Sequence, residues 1–152
     1  MTLQALDPSS PDSENVKALS GEVKPSGYEI LPGGWVKINL TAGIENTFPV
    51  ALENPFGNDV IITHAIIDIT TAGGTATAVL DVDITTGATG TGDDIFDGVD
   101  ANAAATISSF AAGAGTNAEH TGWKWNKSGG TNPYVTAKAL TETVASLAGH
   151  LY

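Results

Sequence analysis

The sequence predicts an all-β protein: an antiparallel β-sandwich, or jelly-roll-like single domain, preceded by an extended N-terminal arm. Apolar and polar residues alternate in several short runs, which is typical of strands with one buried face. Glycine, proline and asparagine separate these runs. Charged residues are only 15% of the chain and the six basic residues are all lysine, a composition unlike that of a helical bundle. The length of 152 residues suits one domain, and we place the arm at residues 1–33 and the sandwich at residues 34–152.

The arm contains few features of a strand or helix, because prolines and polar residues interrupt it. Its apolar side chains include Val16, Leu19 and Tyr28, which are candidate interface residues. Two interpretations stay open: a tail without a partner, or an arm that orders against a neighbouring subunit or a larger particle.

The first strands of the domain follow the Gly33-Gly34 pair. Val36, Ile38 and Leu40 alternate with polar or aromatic residues, which predicts a strand. A second run, 48–52, contains Pro49. Proline has no N–H to donate, so this strand should lie at a sheet edge or carry a bulge.

A central hairpin is predicted between Val60 and Thr85, with its tight turn at Ala72-Gly73. Two sets of residues should share its buried face: Ile61, Ala65, Ile67 and Ile69 in the first run, and Ala76, Ala78, Leu80, Val82 and Ile84 in the second. This register places His64 opposite Asp81 on the other face.

The His64–Asp81 pair has two interpretations. It is either a structural cross-strand pair or part of a subunit interface. The second follows from Ile62, Ile66 and Val79, which would share the face and otherwise stay exposed. This apolar excess predicts self-association, as a homotrimer. The full set of candidate interface residues is Val16, Leu19, Tyr28, Ile62, His64, Ile66, Val79 and Asp81.

The second half begins with a glycine-rich segment, 87–92, interpreted as a flexible loop. Asp93–Asp97 followed by Gly98 resembles one capped helical turn. Residues 101–120 should form an excursion between strands. Strands are expected at 123–125 and in a final hairpin, Tyr134–Leu140 with Val144–Tyr152, turning at Thr141-Glu142.

Two clusters suggest chemistry. Asp93, Asp94, Asp97, Asp100 and Asn102 offer oxygen ligands for calcium. Their spacing does not match an EF-hand, and helix capping plus a solvated turn is the favoured interpretation. Trp123 and Trp125 would share one strand face, either as a sugar-stacking platform or as core or interface anchors. We expect no metal and no cofactor.

Enzymatic activity is not expected, because the chain has no Gly-x-Ser-x-Gly elbow, phosphate loop or zinc motif, and its three histidines belong to no identifiable triad. The net charge of −11 argues against nucleic acid and anionic membranes as partners. That charge serves either solubility or docking onto a basic surface. The N-terminus has no signal-peptide pattern, and no apolar run reaches the roughly 18 residues that span a bilayer.

The stretch Ile66–Val82, the Asp93–Asp100 segment and the late Trp and Tyr-Val-Thr segments resemble small virion proteins of tailed phages. The resemblance covers residues 55–152 and implies a capsid decoration (cement) or head-fibre protein. Such a protein would be a jelly-roll-like trimer, made in the host cytoplasm. It would bind the major capsid protein on the outer surface of the shell and stabilise it, without catalytic residues. The alternative function is a glycan- or receptor-binding module of a phage fibre or spike.

Overall fold

The computed structural model describes residues 27–43, 47–74, 77–110, 122–140 and 144–152. All regular elements in these ranges are β-strands, which confirms the predicted all-β class. They are β1 Tyr28–Leu31, β2 Trp35–Leu40, β3 Val50–Glu53, β4 Val60–Ile62, β5 Ile66–Thr71, β6 Val79–Thr85, β7 Phe96–Asp100, β8 Ala105–Ser108, β9 Trp123–Trp125, β10 Tyr134–Ala139 and β11 Ala148–Leu151. Within the same ranges, no helix has the length and apolar character required for crossing a membrane.

The strands form two main antiparallel sheets. The front sheet has five strands in the order β1-β2-β11-β5-β8, and the back sheet has four in the order β3-β10-β6-β7. Strands β4 and β9 pair separately. Buried residues from both sheets form one hydrophobic core, so the architecture is a β-sandwich.

The core follows the alternation of the strands. Ile67 and Ile69 of β5 and Leu80 and Val82 of β6 are each at most 2% exposed, and Phe96 of β7 is fully buried. Successive side chains of a strand point to opposite faces, so every second residue enters the core. The predicted strand after Gly33-Gly34 is confirmed as β2, and the strand after Pro49 is β3 at an edge of the back sheet, as expected.

The predicted central hairpin is wrong. Strand β5 lies between β11 and β8 in the front sheet, whereas β6 lies between β10 and β7 in the back sheet. The buried assignments of Ile67 and Leu80 are nevertheless confirmed. The two apolar faces meet across the interior of the sandwich instead of side by side in one ladder. Because both arrangements bury the same alternate residues, periodicity alone does not distinguish them.

Two details of that hairpin also differ. Ile61, placed on the buried face, is 59% exposed, because β4 is a separate short strand that pairs with β9. Ala76 lies outside the described residues.

The predicted C-terminal hairpin is wrong for the same reason. Strand β10 pairs with β3 and β6 in the back sheet, whereas β11 pairs with β2 and β5 in the front sheet. The expected turn at 141–142 lies outside the described residues. Around β11, Leu147 and Leu151 are buried and Ala145 is exposed.

The front sheet begins at Tyr28 rather than after Gly33. Strand β1, which the prediction included in the arm, pairs with β2 through a turn at Gly33 and Gly34. Both glycines have φ of 84°, a conformation that disfavours other residues and explains the pair. Tyr28 packs against the core, and Val16 and Leu19 lie outside the described residues.

Residues 93–100 do not form the predicted helical turn. Phe96–Asp100 is strand β7, because Phe96 and Val99 are buried against the core while β7 pairs with β6. Ala105–Ser108, expected to be part of an excursion, is strand β8.

The glycine-rich segment after β6 packs over the outer face of the back sheet. The Thr136 hydroxyl donates a hydrogen bond to the Gly90 carbonyl at 3.1 Å, and a side chain on Gly92 would collide with the Asp83 carboxylate. The glycines therefore permit close approach to the sheet. The segment is a loop, as predicted, and its glycines contact the sheet beneath it.

Candidate functional site

The predicted interface residues of the central stretch do not share one face. Ile66 belongs to the front sheet, Val79 and Asp81 to the back sheet, and Ile62 to the separate β4–β9 pair. The single apolar patch inferred from the hairpin is therefore absent, because it depended on β5 and β6 being neighbours.

The predicted His64–Asp81 pair is likewise wrong. The Nε2 atom of His64 lies 2.7 Å from the Oγ atom of Ser108. The Oδ1 atom of Asp81 accepts a hydrogen bond from the Gly98 N–H at 2.8 Å, and Lys138 stands opposite Asp81 in the ladder. Asp81 thus has its partners on β7 and β10, whereas His64, in the segment between β4 and β5, has a partner on β8.

The outer face of the front sheet carries a row of polar residues across four strands. Cross-strand pairing aligns Asn39 of β2, His150 of β11, Asp68 of β5 and Thr106 of β8. The Thr106 hydroxyl donates a hydrogen bond to Asp68 Oδ1 at 2.7 Å. The ladder therefore brings together residues that are distant in the chain.

Aromatic side chains border this row. The rings of Trp35 and His64 are 5.5 Å apart and those of His64 and Phe110 are 4.4 Å apart, both edge to face. Phe110 is 53% exposed. Edge-to-face contacts orient the rings, so this aromatic edge is an ordered surface feature.

A groove lies between the aromatic edge and the polar row. Trp35, Ile66, Asp68, Thr106 and Tyr152 line it, and its volume is about 320 Å³. We call it the front groove. Two backbone hydrogen bonds between Tyr152 and Ile66, of 2.8 and 2.9 Å, hold the C-terminal residue in place.

His150 lies next to the front groove, with its ring 5.8 Å from the ring of Tyr152. Among the described residues its Nδ1 atom is buried and has no hydrogen-bond partner. Burial lowers the pKa of His150, and the positive charge of Lys37 lowers it further. Its imidazole is therefore neutral at neutral pH.

A second, apolar cavity of about 430 Å³ lies at one end of the sandwich. Its walls include Phe56, Ile62, Ile95 and Trp125, with His64 among the polar members of the lining. The cavity offers burial for an apolar group but few hydrogen-bonding atoms.

The outer face of the back sheet is acidic. Asp81 lies close enough to Asp93 and Asp97 for their charges to act on it. Burial is the main reason that the pKa of Asp81 is raised, and these two negative charges add to the effect. We call Asp81, Asp93, Asp94 and Asp97 the acidic surface.

Asp83 lies beneath this surface and is 7% exposed. Burial raises its pKa to about 6, and the charge and hydrogen bond of Asp94 contribute further. Such a carboxyl is a proton-binding group within the physiological range.

The acidic residues form no recognisable metal site. Within the described ranges, no group of three or more His, Asp or Glu side chains is arranged to hold a metal ion. The Asp100 carboxylate accepts a hydrogen bond from the Asn102 N–H at 2.8 Å, which is the turn-capping role considered as the alternative to calcium binding.

The two tryptophans of β9 form no exposed platform. Trp125 is 2% exposed, packs against Phe56, and donates its indole N–H to the Pro133 carbonyl at 2.8 Å. Trp123 donates its indole N–H to the Asp94 carbonyl at 2.9 Å. The structure therefore favours the core-anchor interpretation for Trp125 over sugar stacking on this pair.

Ile66 was a candidate interface residue, but the other lining residues of the front groove were not identified from the sequence. Trp35 and Asp68 occupy outward positions of β2 and β5, which the alternation of the sequence indicates, and Tyr152 directly follows β11. Their proximity depends on β11 pairing between β2 and β5, which the predicted C-terminal hairpin excluded.

Comparisons of this chain with protein-family models, with curated proteins and with solved structures give no match.

Proposed function

We propose that this chain is a non-enzymatic virion structural protein of the decoration, or cement, type. It binds the major capsid protein on the outer surface of a phage head and acts as a homotrimer, without nucleic acid or membrane as partner. The resemblance of Ile66–Val82 and Asp93–Asp100 to small phage virion proteins supports this function. The β-sandwich is compatible with it.

The observation that carries the proposal furthest is the segregation of charge between the two outer faces. Four aspartates form the acidic surface over the back sheet, and they outnumber Lys138, the cation opposite Asp81. The outer face of the front sheet carries Glu29, Lys37 and Asp68, with an excess of one negative charge. An acidic surface of this kind would face a basic region of the shell, since complementary charge steers encounter and sets orientation.

Stabilisation of the shell follows from mass action. A protein that binds the assembled shell, and not its separate subunits, shifts the equilibrium towards assembly. This stabilisation requires only that the surfaces of the chain and the shell are complementary.

Cosedimentation with expanded capsids, taken from the particle whose major capsid gene neighbours this one, tests the proposal. The chain should pellet with capsids in low salt and less in high salt, because ions screen exposed charges over about 10 Å at 0.1 M. The variant Asp97→Lys should pellet less. Glu29→Lys makes the same charge reversal on the front sheet and should bind like the parent chain.

Two results count against this proposal. If the chain stays in the supernatant at low salt, it does not bind the capsid, and the proposed decoration function is wrong. If Asp97→Lys and the parent chain pellet equally, the acidic surface is not the surface that contacts the shell.

Glycan or receptor binding is the second candidate function. The front groove favours it, since aromatic and hydrogen-bonding side chains line the same depression. The tryptophan pair of β9 no longer supports it.

A further inference from the structure

We propose that the front groove binds a neutral saccharide, with Trp35 and Tyr152 contacting the sugar ring and Asp68 accepting hydrogen bonds from its hydroxyl groups. This site is separate from the acidic surface, and the inference does not depend on capsid binding.

The aromatic part of the argument rests on two half-buried rings in the lining of the groove, Trp35 and Tyr152. Indole and phenol rings offer flat apolar faces, and both carry a polar atom at the rim. The C–H groups on one face of a pyranose form a matching apolar patch. His64 supports the Trp35 ring from the side, with ring centroids 5.5 Å apart, which reduces the ordering cost of binding.

The polar part rests on Asp68 and its neighbours. An ionised carboxylate accepts about four hydrogen bonds, and the Thr106 hydroxyl supplies one of them. The remaining acceptor sites suit the paired hydroxyl groups of a sugar.

The groove's chemistry selects against other ligands. A purely apolar ligand would displace water from Asp68 and Thr106 and offer no hydrogen bonds in its place. Leaving these polar groups without hydrogen-bond partners costs free energy. An anionic ligand would meet the charge of Asp68 and a chain of net charge −11. The volume of about 320 Å³ is at the small end of ligand sites, so one or two sugar rings are the appropriate size.

The test is a titration of the full chain with lactose, cellotriose, maltotriose and N,N′-diacetylchitobiose, followed by backbone amide NMR shifts and tryptophan fluorescence. At least one sugar should give saturable shifts at Ile66, Asp68 and Tyr152, with Kd of about 0.1–10 mM. The variants Asp68→Asn and Trp35→Phe should weaken binding by about tenfold. Asp100→Asn and Trp123→Phe are matched controls outside the groove and should bind like the parent.

Three outcomes would overturn the assignment. One is the absence of saturable shifts with all four sugars at about 20 mM. Another is shifts that map to Trp123 and the acidic surface instead of the groove. The third is tighter binding of 3′-sialyllactose than of lactose, which would contradict the requirement for a neutral ligand. The Asp68→Asn variant preserves side-chain shape, and its own NMR spectrum shows whether it is folded.

Discussion

The glycine-rich loop that follows β6 rests directly on the buried carboxyl group of Asp83, because a Cβ atom on Gly92 would collide with that group. Burial, followed by the negative charge of Asp94, raises the pKa of Asp83 to about 6. The charge of Asp83 therefore changes beneath this loop within the physiological pH range.

The first prediction concerns pH. The pKa of Asp83 in the folded chain, about 6, lies above its ordinary value of 3.8, so the folded state binds the proton more tightly. The stabilising contribution is complete below pH 3.8 and is lost as the pH rises through 6. Asp83→Asn should therefore be more stable than the parent at pH 8, with a smaller difference at pH 4.

Urea unfolding of both proteins between pH 4 and pH 8 measures this difference. The exposed Asp100 provides the control, and Asp100→Asn should follow the parent curve. Parallel curves for Asp83→Asn and the parent would show that Asp83 does not titrate in this range.

The second prediction concerns the core. Leu80 is fully buried on β6, so Leu80→Ala should lower the free energy of unfolding by about 2–5 kcal/mol. Ile61 is 59% exposed, and Ile61→Ala should change the free energy of unfolding by no more than about 0.5 kcal/mol. Chemical denaturation measures both, and a Leu80→Ala loss as small as that of the control would mean that the inward assignment of β6 is wrong.

The third prediction concerns the glycine-rich loop. A Cβ atom on Gly92 would collide with the Asp83 carboxylate, whereas one on Gly87 would have nothing within 4 Å. Gly92→Ala should therefore destabilise the fold by about 1–3 kcal/mol, while Gly87→Ala should not destabilise it. Thermal unfolding compares them, and equal melting temperatures would show that the loop does not rest on Asp83.

The fourth prediction concerns assembly. As part of the proposed decoration function we expect a homotrimer; this expectation rests on the resemblance to small phage virion proteins, because the apolar patch inferred from the hairpin is absent. Light scattering at micromolar concentration should give about three times the chain mass of 15.4 kDa. A single 15.4 kDa species would contradict it.

Deletion of residues 2–20 should preserve the β-signal in circular dichroism but weaken trimer formation or capsid binding. If the deletion variant loses its β-signal, these residues are part of the core. If the variant forms trimers and binds capsids like the full chain, these residues are only a tail.

Alternation in the sequence determined the buried face of β5 and β6, although it failed for Ile61, which is exposed. Ile67, Ile69, Leu80 and Val82 were assigned to the core from period-two patterning alone, and all are buried. Such patterns are local, since the two faces of a strand differ in polarity whatever the strand pairs with. Local signals also located the start of β2 after Gly33-Gly34 and the edge position of β3.

Only the tertiary structure decided which strands are neighbours, and the candidate sites depend on that choice. The sequence suggested β5 beside β6 and β10 beside β11, but each pair is divided between the two sheets. Two apolar faces lose contact with water equally well within one sheet or across a sandwich, so hydrophobic patterning leaves the partner undetermined. Placing β11 between β2 and β5 aligned His150 with Asp68 and formed the front groove, through contacts between residues far apart in the chain.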